Sequence, residues 1–283
     1  MQLSCSRKTS FFIVTLIYLL ATLVGVVTYM VLPFAFWLNL LLADIAATIF
    51  TFIFSVLFEN ASVYDPYWSV QPIVIIIAFA FEGELTIAGV CLLVAICFWG
   101  VRLTANWAYT FHGLTAQDWR YTMLKEKTGK GYPFVNFTGI HLVPTLIVYA
   151  CVLPAVFVVH YGAPFHTGTL VFSLFAVCSA LLQGAADIQM HTFRKKKTGG
   201  FIRDGLWKYS RHPNYLGEIC MWWCIGIASV FAMPSIWYLL IGALCNTLLF
   251  LIVSIPMADN RQAKKDGFAE YKAQTRMLLP IKR

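Results

Sequence analysis

The segment SRHPNYLGE, residues 210–218, concentrates polar chemistry in a chain that is otherwise largely apolar. Arg211 and His212 stand directly before Pro213, a residue suited to the first turn of a helix because its missing N–H would have no partner there. The remaining N–H groups of such a turn point outward, and two potential cations beside them make an anion site. Asn214, Glu218 and Trp222 follow at four-residue intervals and carry a polar face into the apolar run. A carboxylate at that depth is expensive unless it is paired or used. Its ordinary role would be to anchor Arg211 or His212, which is compatible with lining a site.

Two further stripes have this character. In QGAADIQMHTFRKKK (183–197), Gln183, Asp187, His191 and Arg194 share one helix face. Such a face either lines a wet cleft or forms an ion-paired helix end in which Asp187 and His191 support each other. Lys195, Lys196 and Lys197 could hold phosphates, although a basic run beside a bilayer more usually marks topology and headgroup contact. Trp99, Arg102, Asn106 and Tyr109 form the second stripe, which continues into QDWRY (117–121). Arg102 can snorkel from the end of a span, but the Asn106 amide needs partners if its surroundings are dry. VYDPYWS (63–69) adds Tyr64, Asp65 and Tyr67. Interfacial belts account for the aromatic residues there and not for Asp65. Asp44, isolated in an apolar run, suits a structural pairing as well as catalysis.

The elements that must position these residues are membrane spans. Hydrophobic residues make up 59% of the 283 and charged residues 12%, with mean hydropathy +0.72. Soluble domains carry about a quarter charged residues, so the composition predicts an all-α, polytopic transmembrane bundle. The runs 11–32, 34–58, 141–161, 167–186, 216–232 and 235–256 each read as one span. The stretch 69–105 would be about 55 Å long as one helix, against a hydrocarbon core of about 30 Å. Splitting it at Glu82, Gly83 and Glu84 gives spans at 67–81 and 85–105, and eight in all.

Lysine and arginine support that count. Two lie at 7–8, five at 102–130, seven at 194–211 and seven at 261–283, which accounts for all 21. Eight spans place every one of them on one side, cytoplasmic by the positive-inside rule, together with both termini. A seven-span arrangement would leave Arg7 and Lys8 outside. The net charge of +8 then reports topology and implies no nucleic-acid partner. The sequons at Asn60 and Asn136 would face the cytoplasm and stay unmodified. The eight cysteines form no CxxC pair and read as small buried hydrophobes, and no metal site is expected. The first apolar run lacks a clean small-residue cleavage site and reads as a retained span.

GLWKYSRHPNYLGE (205–218), ADIQ (186–189), DPYWS (65–69), FWGVRLTANW (98–107) and QDWRY (117–121) together resemble the steroid 5-alpha-reductase superfamily of membrane enzymes, in a less characterised reductase-like branch. The resemblance covers about residues 60–283. It divides the chain into N-terminal transmembrane helices, 1–58, as an extension, and a membrane catalytic domain, 59–283. It implies NADPH inserted from the cytoplasm and hydride delivery to a carbon–carbon double bond of a steroid- or enone-like lipid entering from the bilayer. The chain has neither GxGxxG nor a Walker A motif, so cations and helix N-termini must hold the anionic dinucleotide. Arg102, Lys195, Lys197, Arg203 and Arg211 supply charge in this reading, and the turn at Pro213 supplies donors. By resemblance, Asn106, Asp187, His191, His212, Asn214, Tyr215 and Glu218 line the dinucleotide channel.

The better-known members use a Gln-Glu pair before one span and a tyrosine on the next. Here DPYWS stands in the first position, with Asp65 its one acid, and Trp99 stands where the tyrosine is expected. A desolvated aspartic acid can stay protonated and donate to the oxygen on which charge develops. Asp65 with Tyr67 is therefore the expected catalytic pair, with Tyr64 and then Tyr109 as alternatives. One rival is an S-adenosylmethionine-dependent methyltransferase, since isoprenylcysteine carboxyl methyltransferases carry a similar RHPxY element; it leaves DPYWS and the Asp187 stripe unexplained. The other is a non-catalytic sterol or lipid binder, suggested by the loss of the usual tyrosine. Localisation would be the endoplasmic reticulum in a eukaryote and the inner membrane in a bacterium, with the active-site face cytoplasmic.

Overall fold

The computed structural model describes residues 5–196 and 199–280; Lys197, one of the expected phosphate-binding cations, lies outside the described residues. The helices run in chain order α1 Arg7–Val31, α2 Phe36–Leu57, α3 Tyr67–Glu82, α4 Ile87–Thr110, α5 Trp119–Thr128, α6 Tyr132–Val135, α7 Val143–His160, α8 Thr167–Lys195, α9 Pro213–Ala232, α10 Ile241–Leu249, α11 Ile255–Gln262 and α12 Phe268–Gln274. No strand occurs among the described residues. Eight helical stretches are long and apolar enough to cross a bilayer, the fifth running through α5–α7 (Trp119–His160) and the eighth through α10–α11 (Pro234–Gln262). The all-helical, eight-span expectation thus holds.

Local chemistry sets the helix ends. The Ser6 side chain accepts from the Thr9 N–H, Thr86 from Gly89 and Asp118 from Arg120, each capping the first turn of its helix. Glu82, Gly83 and Glu84 do divide α3 from α4. Gly83 is required there by packing, because a Cβ would come within 2.8 Å of the Val159 carbonyl oxygen on α7. Helix α8 exceeds its expected span most. Its 29 residues extend about 43 Å, past Asp187 and His191, which sequence hydropathy treats as outside the run.

The buried centre lies among α3, α4, α7, α8 and α9, around Trp99, Trp222, Ile76, Leu92 and Val156. Helix α1 is the least enclosed and presents Phe12, Leu19, Leu23, Val27 and Met30 outward, as a lipid-facing helix should. It packs along α2 through Ala21 and Gly25 against Ala43 and Ala47. The two sequon asparagines are structural. Asn60 donates to the carbonyls of Leu114 and Ala116, and Asn136 donates to Ser55, so neither amide is available to a glycosyltransferase in the folded chain.

Candidate functional site

At one end of the bundle the C-terminal halves of α4 and α8 meet the first turns of α9. Gly217 permits the approach. A Cβ at that position would lie 2.7 Å from the Ser179 carbonyl oxygen and 2.9 Å from Gln183 Cβ. Because α8 and α9 close to this degree, Gln183 Nε2 reaches Glu218 Oε2 at 2.7 Å. Trp99 Nε1 donates to the same oxygen at 2.8 Å, and Trp222 Nε1 donates to Oε1 at 2.9 Å. Glu218, Trp99 and Trp222 are all buried. The glutamate is therefore enclosed by neutral donors and contacts neither Arg211 nor His212, contrary to its expected anchoring role. Trp99 spends its one N–H on this carboxylate.

One turn nearer the polar end, Arg102 Nη1 pairs with Asp187 Oδ2 at 2.9 Å, and Asn214 Nδ2 lies 3.5 Å from Asp187 Oδ1. Next comes His191, whose Nε2 lies 2.7 Å from Asn106 Oδ1, and whose ring packs on Tyr109. Lys195 sits 5.5 Å from the centre of the Tyr109 ring. The two sequence stripes therefore face each other along one polar seam, which Asn214 of α9 extends. Four buried polar atoms in it lack a hydrogen-bond partner: Arg102 Nε, Arg102 Nη2, Asn214 Oδ1 and Gln183 Oε1. Buried groups of this kind are normally satisfied, and a guanidinium with two idle nitrogens is suited to an anionic or polar ligand.

Arg211 and His212, expected at the same anion site, are turned elsewhere. Arg211 Nη2 and His212 Nε2 bracket Asp259 of α11 at 3.1 and 3.0 Å. Arg211 Nη1 donates to the Thr275 carbonyl at 2.5 Å, and its backbone N–H donates to Arg276. The ring of His212 stacks on Tyr215, which packs on Phe250. Their chemistry fastens the C-terminal segment. Arg203 is exposed beside Phe201.

The expected catalytic residues are distributed over two networks. Asp65 accepts from the Tyr121 hydroxyl at 2.6 Å, tying the DPYWS turn to α5. Tyr67 donates to Asp44 Oδ1 at 2.8 Å, and Gln71 Nε2 donates to Asp44 Oδ2 at 2.6 Å. Tyr64 shares a hydrogen bond with Thr145 and stacks on Tyr67 at 5.1 Å between ring centres. Asp65 and Tyr67 thus bond to different partners, Tyr121 and Asp44. Sequence reasoning missed Gln71 and Asp259. Gln71 was legible as the residue one turn after Tyr67 on the same helix face; Asp259 had no local signal, since the two buried partners that bracket it lie 47 and 48 residues away. Among the described residues no cluster of three or more histidine, cysteine, aspartate or glutamate side chains could hold a metal ion.

The fold and the cleft define an all-helical integral membrane protein with a polar site at one end of its bundle. The chain belongs to the family described as protein of unknown function (DUF1295), a steroid 5-alpha-reductase-like family, which it matches over residues 51–275. It is also similar to the uncharacterised protein C594.04c of Schizosaccharomyces pombe, at 25% identity over 212 residues, or 64% of this chain. The aligned part spans 61% of that relative's length. No solved structure matches the chain.

Proposed function

We propose that the α4–α8–α9 cleft binds NADPH and that the protein is a membrane oxidoreductase that reduces a carbon–carbon double bond of a lipid. The observation that carries this reading is the buried guanidinium of Arg102, with Nε and Nη2 unpartnered beside the equally unpartnered Asn214 Oδ1. Asn106, Asp187 and His191 complete the wall, and Lys195, with exposed Arg203 on the same polar end, supplies further positive charge. When bound, NADPH would supply the hydride. The protein's part is to hold the dinucleotide without a Rossmann fold and to keep water from the deeper, tryptophan-walled end of the cleft. Arg211, His212 and Glu218 support this site through packing and helix position and do not contact the nucleotide. Asp65, Tyr64 and Tyr67 are each committed to a protein partner, so the reading rests on the cofactor side. By the positive-inside rule the cleft faces the cytoplasm, the compartment that holds NADPH.

A binding-only reading has one observation in its favour: Trp99, at the tyrosine position, has its N–H sealed onto Glu218. The same experiment addresses both readings and the methyltransferase. Detergent-purified protein is heated with NADPH, NADH or S-adenosylmethionine, since a ligand of the native state raises apparent stability by mass action. NADPH should stabilise the protein more than NADH, and Arg102→Met should abolish that difference. Stabilisation by S-adenosylmethionine alone would replace the reductase with a methyltransferase, and no response to any of the three would leave a lipid binder.

A further inference from the structure

A second cavity lies between α1, α2 and α3, with an empty volume of about 900 Å³ including the space at its open mouth. Small side chains form much of its wall: Ala21 and Gly25 on α1, Ala43 and Ala47 on α2, and Ala78 on α3. Aromatic contacts close its two ends. Tyr18 meets Tyr67 edge to face at 5.9 Å, and Tyr29 meets Phe79 at 5.9 Å. The eleven residues from Tyr18 to Tyr29 span about 16 Å of helix. Exposed Val26 and Ala78 mark the rim, so the mouth opens sideways, where a bilayer would lie.

The buried polarity lies at one end, while exposed Glu82 and its partner Tyr29 stand at the other. Asp44, Tyr67 and Gln71 line the cavity and are each more than nine-tenths buried. The Tyr67 hydroxyl donates to one oxygen of Asp44 and the Gln71 NH₂ group donates to the other. That orientation leaves Gln71 Oε1 as a buried acceptor without a partner. A ligand that satisfies it must donate a hydrogen bond. A ketone or aldehyde cannot. A hydroxyl carries the one donor this acceptor needs, on a body that suits the apolar wall.

We propose that the α1–α2–α3 cavity is a binding site for an uncharged lipid bearing a single hydroxyl, which donates to Gln71 Oε1 while the apolar body lies along the small-residue wall toward Tyr29 and Phe79. The family match begins at residue 51, so α1 and Asp44 lie outside it. The site therefore belongs to the N-terminal extension as much as to the family domain. This inference does not rest on the NADPH reading.

The test is saturation binding of tritiated cholestanol and tritiated geranylgeraniol to the full chain in detergent without nucleotide, with competition by each alcohol's carbonyl counterpart, cholestanone or geranylgeranial. At least one alcohol should bind saturably, with its carbonyl partner weaker by about tenfold or more, the loss expected for one buried hydrogen bond. Gln71→Leu should remove the preference for the alcohol. Ala78→Phe fills the cavity from an exposed rim position, which leaves the fold undisturbed, and should weaken binding by a similar factor. Absence of saturable binding by either alcohol, equal binding of alcohol and carbonyl, or an Ala78→Phe variant that binds normally would each overturn the proposal.

Discussion

Glu218 receives three hydrogen bonds from neutral donors and is bonded to no cation, which distinguishes it from Asp187, the partner of Arg102. The cost of its burial is offset by donors aimed at both oxygens, and its removal would strand Trp99, Trp222 and Gln183 together. Each buried donor left unpaired costs about 1–3 kcal/mol. Glu218→Ala should therefore lower the thermal midpoint in detergent sharply. Asn214→Ala removes a contact of 3.5 Å and an already unpartnered oxygen, so it should leave the midpoint nearly unchanged while weakening NADPH binding. A Glu218→Ala protein that melts like the wild type would show that the cage is not structural. Asp65→Ala belongs with Glu218 in this respect: it removes the oxygen that accepts from Tyr121, and should loosen α5 against the DPYWS turn more than it changes any turnover.

The spans were legible because hydropathy and length are properties of single elements. The break at residues 82–84 followed from length and from the two glutamates flanking Gly83, and the structure adds the packing reason, the approach of Gly83 to α7. Less legible were the partners at the polar face. The shared face of Gln183, Asp187, His191 and Arg194 carried the helix past the apolar run, as α8 shows, but spacing did not give that Arg102 and Asn106 on α4 receive Asp187 and His191. Gly217 shows the same limit: nothing local distinguishes it from a tolerated helix glycine, and its necessity comes from the Ser179 carbonyl on α8. Gly217→Ala should force α8 and α9 apart at a cost of about 1–3 kcal/mol, the range for overpacking a close contact. Gly184→Ala meets only the flexible side chain of Arg102, at 3.1 Å, and should cost less. Thermal midpoints of the two variants, measured side by side, decide this; equal losses would mean that the α8–α9 contact is not the limiting one.

At the scale of the whole molecule, the candidate site was legible as two stripes but not as an assignment of duties. Spacing showed that Arg211 and His212 sit at a helix start, and could not show that a carboxylate 48 residues downstream takes both. The consequence is a strap. Arg211 is also bonded to the carbonyl of Thr275, while the Tyr271 hydroxyl donates to the carbonyl of Trp207 at 2.5 Å. Burial pushes the Tyr271 hydroxyl up to about 12, so it stays a donor at any physiological pH. Lys265 reaches the Gly200 carbonyl, and Arg261 lies 4.2 Å from the centre of the Trp119 ring on α5. The C-terminal helices therefore hold the segment before α9 in place, and with it the first turn that brings Asn214 to the cleft. Asp259→Ala leaves Arg211 and His212 buried without their anion, a change worth about 3–5 kcal/mol when one partner of such a pair is removed. It should release the strap before it melts the bundle, and limited proteolysis should cut first in the exposed turn at 263–267. NADPH-dependent stabilisation should fall in parallel although no nucleotide-binding residue has changed. If cleavage at that turn stays as slow as in the wild type while NADPH stabilisation disappears, Asp259 acts at the cleft itself and the strap is not what orients Asn214.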